Sequence, residues 1–157
     1  MKLRSIIAAA AGILVAAAMP AAAQHSGAGH AMMLPEDLKW VDVPSLPPGA
    51  KIAVIEGPLN AAGPITARIR FPANYQLPAH RHPVIEHVTV LSGTFNMGTG
   101  EKFDRAKTKA LTPGGFAVMQ PGTPHFAWTD RETVVQIHSV GPWGVTYVNP
   151  ADDPRRK

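Results

Sequence analysis

Between Lys51 and Val148 no stretch keeps a 3.6-residue hydrophobic period for ten residues, and this constrains the fold more than any other feature of the chain. In its place stand short runs rich in β-branched and aromatic residues: Lys51 to Glu56, Ile65 to Phe71, Ile85 to Leu91, Thr94 to Met97, Phe116 to Met119, Phe126 to Thr129, Thr133 to Ser139 and Val145 to Val148. The 16 prolines and 14 glycines of the 157 residues fall, within this body, mostly between the runs, where a fixed or positive φ makes turns. Many short strands with frequent turn signals predict an all-β sandwich or barrel in a single domain.

The first 23 residues do not belong to that body. Lys2 and Arg4 precede an apolar run from Ile6 to Met19, and Ala21-Ala22-Ala23 follows, which is the pattern of a secretory signal peptide cleaved after Ala23. The run is too short for the ~20 residues that a spanning helix needs. No membrane span is expected, and export to the periplasm is. Cleavage removes two of the 15 basic residues, leaving 13 against 11 acidic ones, a net charge of +2. Arg155, Arg156 and Lys157 lie in a polar tail, so the body is nearly neutral and lacks the clustered basic face that nucleic-acid binding needs. With no cysteine, disulfides, thiolate metal sites and thiol nucleophiles are excluded. Any chemistry rests on histidines, carboxylates, hydroxyls or a metal.

Residues 24–49 read as a leader followed by an arm. Gln24 to Leu34 shows no period and is expected to be flexible; Pro44, Pro47 and Pro48 punctuate Trp40 to Gly49, which is expected to lie extended over the body. The barrel domain is expected over residues 50–149, with a disordered polar tail at residues 150–157.

The informative stretch is His80-Arg81-His82-Pro83-Val84-Ile85-Glu86, followed by Val88, Val90 and Ser92-Gly93. Two histidines at i and i+2 on an extended segment project from one side, with their bases about 6.6 Å apart, close enough for the rings to converge on one ion. Pro83 supplies a turn that can bring Glu86 back on the next strand. On that strand Glu86, Val88 and Val90 share one face and His87, Thr89 and Leu91 the other, so the more apolar set faces inward and takes Glu86 with it, while His87 points out. A carboxylate on a buried apolar face is costly unless it is paired or bound to a cation.

A second stretch, Gly115 to His125, runs a strand into a Pro121-Gly122 turn and delivers His125 at the start of the next strand. With it the sequence resembles the cupin superfamily. His80, His82, Glu86 and Gly93 fit the first cupin motif, and Gly115, Gly122 and His125 fit the second. Asn74 stands where the first motif opens on glycine, Gln120 where the second has proline, and Thr129 where it ends on asparagine. The run AHRHPVIEHVTVLSGTF further resembles small exported single-domain cupins of bacteria. The resemblance implies a double-stranded β-barrel of the jelly-roll type, a homodimer formed through sheet edges, and a ligand set of His80, His82, Glu86 and His125 holding one divalent transition metal among Mn, Fe, Zn, Cu and Ni. Positions left open on such an ion suit a small-molecule ligand or substrate.

Around that set, Gln136 and His138 lie opposite Val135 and Ile137 on the run Thr133 to Ser139. Facing the pocket, Gln136 would orient a ligand and His138 would transfer protons as the catalytic group; facing solvent, neither would take part. Tyr75, Phe95 and Met97 are placed at the mouth by their closeness to the motif turns. Two functions follow: a metalloenzyme of dioxygenase-like or Lewis-acid isomerase or decarboxylase type, and a non-enzymatic module that captures a small molecule or metal.

Overall fold

The computed structural model describes residues 31–156; the expected signal peptide and most of the leader, including His25 and His30, lie outside them. β1 (Val41–Asp42), β2 (Lys51–Glu56), β3 (Gly63–Phe71), β10 (Thr133–Gly141), β5 (Glu86–Ser92) and β8 (Phe116–Met119) hydrogen-bond in that order as a six-stranded antiparallel sheet. The second sheet has five strands in the order β11 (Thr146–Tyr147), β4 (Gln76–Arg81), β9 (His125–Trp128), β6 (Phe95–Thr99) and β7 (Lys109–Leu111). No helix among the described residues is long and apolar enough to cross a membrane.

Period-two alternation supplies the core. From the first sheet Ile65, Ala67, Ile69 and Phe71 of β3, Val88 and Val90 of β5, and Val135 and Ile137 of β10 turn inward and are almost wholly buried. Phe71 ties the sheets together, its ring 5.3 Å from Phe95 on β6 and 5.2 Å from Tyr75.

The proline-rich arm packs on the body, through turns at Pro44–Leu46 and Pro48–Gly49 rather than as a continuous extended segment. Val43 and Leu46 are buried, and two tyrosine hydroxyls hold its backbone: Tyr75 donates to the Pro47 carbonyl at 2.6 Å and Tyr147 to the Ser45 carbonyl at 2.9 Å. This corrects the placement of Tyr75 at the mouth, since its ring sits in the core and its hydroxyl is spent on the arm. Burial pushes both phenols far above their ordinary range, so they stay protonated donors. The tail also departs from expectation. Asp153 takes a two-pronged ion pair from Arg155 at 2.7 and 2.8 Å, and Arg155 donates to the Val145 carbonyl at 2.9 Å, docking the chain end on the segment before β11.

Two of the motif departures, Asn74 and Thr129, are explained by backbone geometry. Asn74, in the place of the motif glycine, has φ +59°, a left-handed conformation that asparagine tolerates better than other non-glycine residues. Thr129, in the place of asparagine, holds the same turn: its hydroxyl donates to the Pro72 carbonyl at 2.7 Å and its amide to the Tyr75 carbonyl at 3.0 Å. In the second motif positive φ falls on Gly122, as the motif expects, and on Gly114, one residue before Gly115.

Candidate metal centre

Strand ends deliver the four side chains. His80 lies near the end of β4, and His82 follows just beyond it, where Pro83 breaks the pairing. Glu86 opens β5 and His125 opens β9, directly opposite His80 in register. All four are buried, with relative exposures of 2% for His80, 4% for His82, 4% for Glu86 and 2% for His125. The three histidines offer ligand atoms within 4.8 Å of one another, and their ring centroids stand 4.2 to 5.1 Å apart. Glu86 joins them through Oε2, which is 3.3 Å from His82 Nε2 and 3.7 Å from His125 Nε2.

Each imidazole is held by a backbone carbonyl: His80 Nδ1 donates to Pro78 at 2.9 Å, His82 Nδ1 to Gly144 at 2.7 Å and His125 Nδ1 to Thr123 at 3.0 Å. A carbonyl can only accept, so in all three rings the proton sits on Nδ1. The neutral ring then carries its lone pair on Nε2, the nitrogen that His82 and His125 turn toward the carboxylate. These donors and one carboxylate oxygen fit a divalent transition metal, a mixed nitrogen and oxygen set with the outer nitrogens already satisfied.

The electrostatics agree. Burial, with His125 and His82 nearby, holds His80 well below the usual histidine pKa; burial also lowers His125, partly offset by the Glu86 charge. Burial opposes the charge on His82 too, but Glu86 and the Gly144 carbonyl outweigh it and raise that pKa. Burial pushes the Glu86 carboxyl up, and His82, His125 and the Trp143 N–H together more than reverse this, leaving it below the usual carboxylate range. The carboxylate is therefore charged and at least two imidazoles are neutral at pH 7.

The four groups line one cavity between the sheets whose other walls are apolar, among them Leu77, Val88, Met97, Ile137 and Trp143. The space open to the centre of a water molecule is about 30 Å³, room for little more than one or two waters. Trp143 was not anticipated from the sequence. Its indole stacks on His82 with centroids 4.9 Å apart at 19°, and its Nε1–H donates to Glu86 Oε1 at 3.1 Å.

His138 is a correction. β10 turns Val135 and Ile137 to the cavity, and His138 is exposed on the outer face, with Nδ1 3.1 Å from the Thr66 hydroxyl and Nε2 2.9 Å from the Gln136 amide. Gln136 also faces out, accepting from Arg68 Nε at 3.1 Å. Both residues are excluded from the pocket because the apolar set takes the interior. His87, expected outside, stacks there on Phe116 at 5.9 Å.

The family described as the ChrR cupin-like domain matches residues 20–143. No curated protein matches this sequence. Among solved structures, the polyketide cyclase RemF from Streptomyces resistomycificus superposes with a TM-score of 0.65 at 19% identity, over 82% of this chain and 92% of its own. A candidate acetylacetone dioxygenase from Methylibium petroleiphilum gives a TM-score of 0.61 at 16% identity, over 82% and 88%. A chain of the Rhodobacter sphaeroides complex of SigE with the anti-sigma ChrR gives 0.52 at 18% identity, over 68% of this chain and 51% of that one. At these identities the likeness is one of fold, and that fold is the cupin jelly roll.

Proposed function

Starting from the fact that this chain belongs to the ChrR cupin-like domain family, we propose that it is an exported metalloprotein in which His80, His82, Glu86 and His125 hold one divalent transition metal, and that it acts as an enzyme on a small oxygenated molecule. The observation that carries the reading is the cluster itself: three buried histidines offer ligand atoms within 4.8 Å of one another, each ring with Nδ1–H tied to a carbonyl, and His82 and His125 turn Nε2 toward the buried Glu86 carboxylate. A divalent ion among them would take the Nε2 lone pairs and satisfy the carboxylate.

When bound, such an ion supplies Lewis acidity and, if redox-active, electron exchange with dioxygen. The chain's own residues set the frame: the carbonyls of Pro78, Thr123 and Gly144 fix the rings, and the apolar walls exclude water. Among the described residues, no lining residue beyond the four proposed ligands is ionisable. A reaction that leans on the ion rather than on a free acid or base suits this cavity, which favours the dioxygenase-like type over proton-shuttling chemistry. The same feature supports a second reading, a periplasmic module that captures a ligand at the ion without turning it over.

The test is metal analysis of protein exported under its native leader. Wild type is expected to carry close to one equivalent of a single divalent metal; His125→Ala loses most of it, and His87→Ala, altered on the outer face, keeps it. Metal-free wild type that also fails to take up added Mn(II), Fe(II), Co(II), Ni(II), Cu(II) or Zn(II) would refute the reading. Oxygen uptake by the loaded protein with small diketones and phenols then separates enzyme from binding module.

A further inference from the structure

Every residue lining the metal cavity is buried except Trp143, which is partly exposed. Trp143 is thus the most exposed of the cavity's lining residues among those described. It does two further things. It stacks on His82, and its Nε1–H occupies Oε1 of Glu86, while the carboxylate's other oxygen, Oε2, is the one facing His82 and His125. A carboxylate oxygen already engaged by a donor is the poorer metal ligand, so the indole selects which oxygen is presented.

The backbone around the ring is anchored on both sides. The Trp143 amide donates to the Leu59 carbonyl at 2.7 Å, and the carbonyl of Gly144 accepts the hydrogen bond of His82 Nδ1–H. The Gly141–Gly144 segment therefore touches two of the proposed ligands three times: through the stack, through the indole N–H and through a carbonyl.

We infer that Trp143 is both the gate of this centre and the positioning residue for Glu86. In the closed arrangement the indole separates the cavity from solvent and holds Oε1, leaving Oε2 as the single oxygen aimed at the imidazoles. A ligand larger than a water molecule enters by displacing the ring, and displacement frees Oε1, so access to the centre and the binding mode of its carboxylate change together. The positioning half of this inference rests on the metal reading above; the gating half does not.

Two variants and two probes test it. Trp143→Phe keeps a stacked ring but lacks the N–H, and Trp143→Ala removes both; Trp143→Val replaces the alanine variant if its far-UV circular dichroism departs from wild type. The first probe is Co(II), followed by its visible spectrum. Trp143→Phe is expected to bind Co(II) about 10- to 100-fold more weakly, the usual cost of losing a partner of a metal ligand, with a changed ligand-field spectrum. Wild-type affinity and spectrum in Trp143→Phe would overturn the positioning role.

The second probe is diethyl pyrocarbonate on metal-free protein, with carbethoxylation read residue by residue by mass spectrometry. Trp143→Ala is expected to modify His80, His82 and His125 at least tenfold faster than wild type, and Trp143→Phe at nearly the wild-type rate, with His87 unchanged in all three. Equal rates at the three buried histidines in wild type and Trp143→Ala would overturn the gate. If wild type binds no Co(II), the metal reading fails and takes the positioning role with it, while the carbethoxylation rates still decide the gate.

Discussion

Acid should weaken the metal-free protein through His80 and His125. In the folded chain both have pKa values lowered by burial, so they remain neutral at a pH where the unfolded chain has already taken up protons near 6.5. For a depressed histidine the contribution to stability is present above the unfolded pKa and is lost as pH falls toward the folded one. His82 runs the other way: its raised pKa adds stability below 6.5, which is lost as pH rises through the folded value, so it contributes no loss on acidification. Between pH 6.5 and 5.5 the excess of protons on the unfolded state climbs from about one toward two, at about 1.4 kcal/mol per proton and pH unit, a loss of up to about 2 kcal/mol. Against a total of 5–15 kcal/mol for an ordinary domain, that is readily measured. Urea unfolding with a chelator present, at half-unit steps from pH 8 to 5, should show the midpoint falling below 6.5, and His80→Gln should roughly halve the slope. A midpoint flat across this interval, or a slope unchanged in His80→Gln, would refute the assignment of two neutral buried imidazoles.

Three further outcomes follow from the geometry. Gly93→Ala should destabilise the fold by roughly 2–5 kcal/mol, because its φ of +76° is strained for alanine and the new Cβ would sit 2.4 Å from both the Glu132 carbonyl and the Thr133 hydroxyl; a thermal midpoint within a degree of wild type would count against that turn. Asn74→Gly should be neutral or slightly stabilising and Asn74→Ala destabilising by about 1 kcal/mol, since the position needs positive φ rather than an amide. His138→Gln should leave metal content and any turnover unchanged, because the ring hydrogen-bonds only on the outer face; a fall in turnover at constant metal content would return it to the site.

Much of the candidate site was legible because its logic is local. The period of two and the turn at Pro83 group His80, His82 and Glu86, and it is the resemblance to the two cupin motifs that joins His125, after the Gly122 turn, to them. Trp143 lacked any such signal. Its contact with Glu86 spans 57 residues and exists only because β10 passes beside β5 before the Gly141–Gly144 segment turns back over the centre. The prolines of the arm exclude a helix, but its turns and the Tyr75 and Tyr147 hydroxyls that hold it depend on tertiary contacts that no pattern encodes. β7, Lys109–Leu111, gave no strand signal because it is a short, exposed edge whose pairing with β6 is imposed by its neighbour.

His138 shows how far the apolar rule reaches when it is applied evenly. On β5 the rule sends Val88 and Val90 inward, and Glu86 goes with them by parity; on β10 the same rule sends Val135 and Ile137 inward, and parity then leaves Gln136 and His138 outside. The difference between the strands is the neighbour across the barrel. Glu86 meets His82 and His125, which repay its burial, whereas a polar side chain at position 135 or 137 of β10 would face only apolar cavity wall and would carry its desolvation cost unpaired. Thr133, at the start of the same strand and on the same face, is buried without such a cost because its hydroxyl bonds the Thr94 and Arg131 carbonyls, and Asn96 on β6 likewise reaches the Trp128 carbonyl.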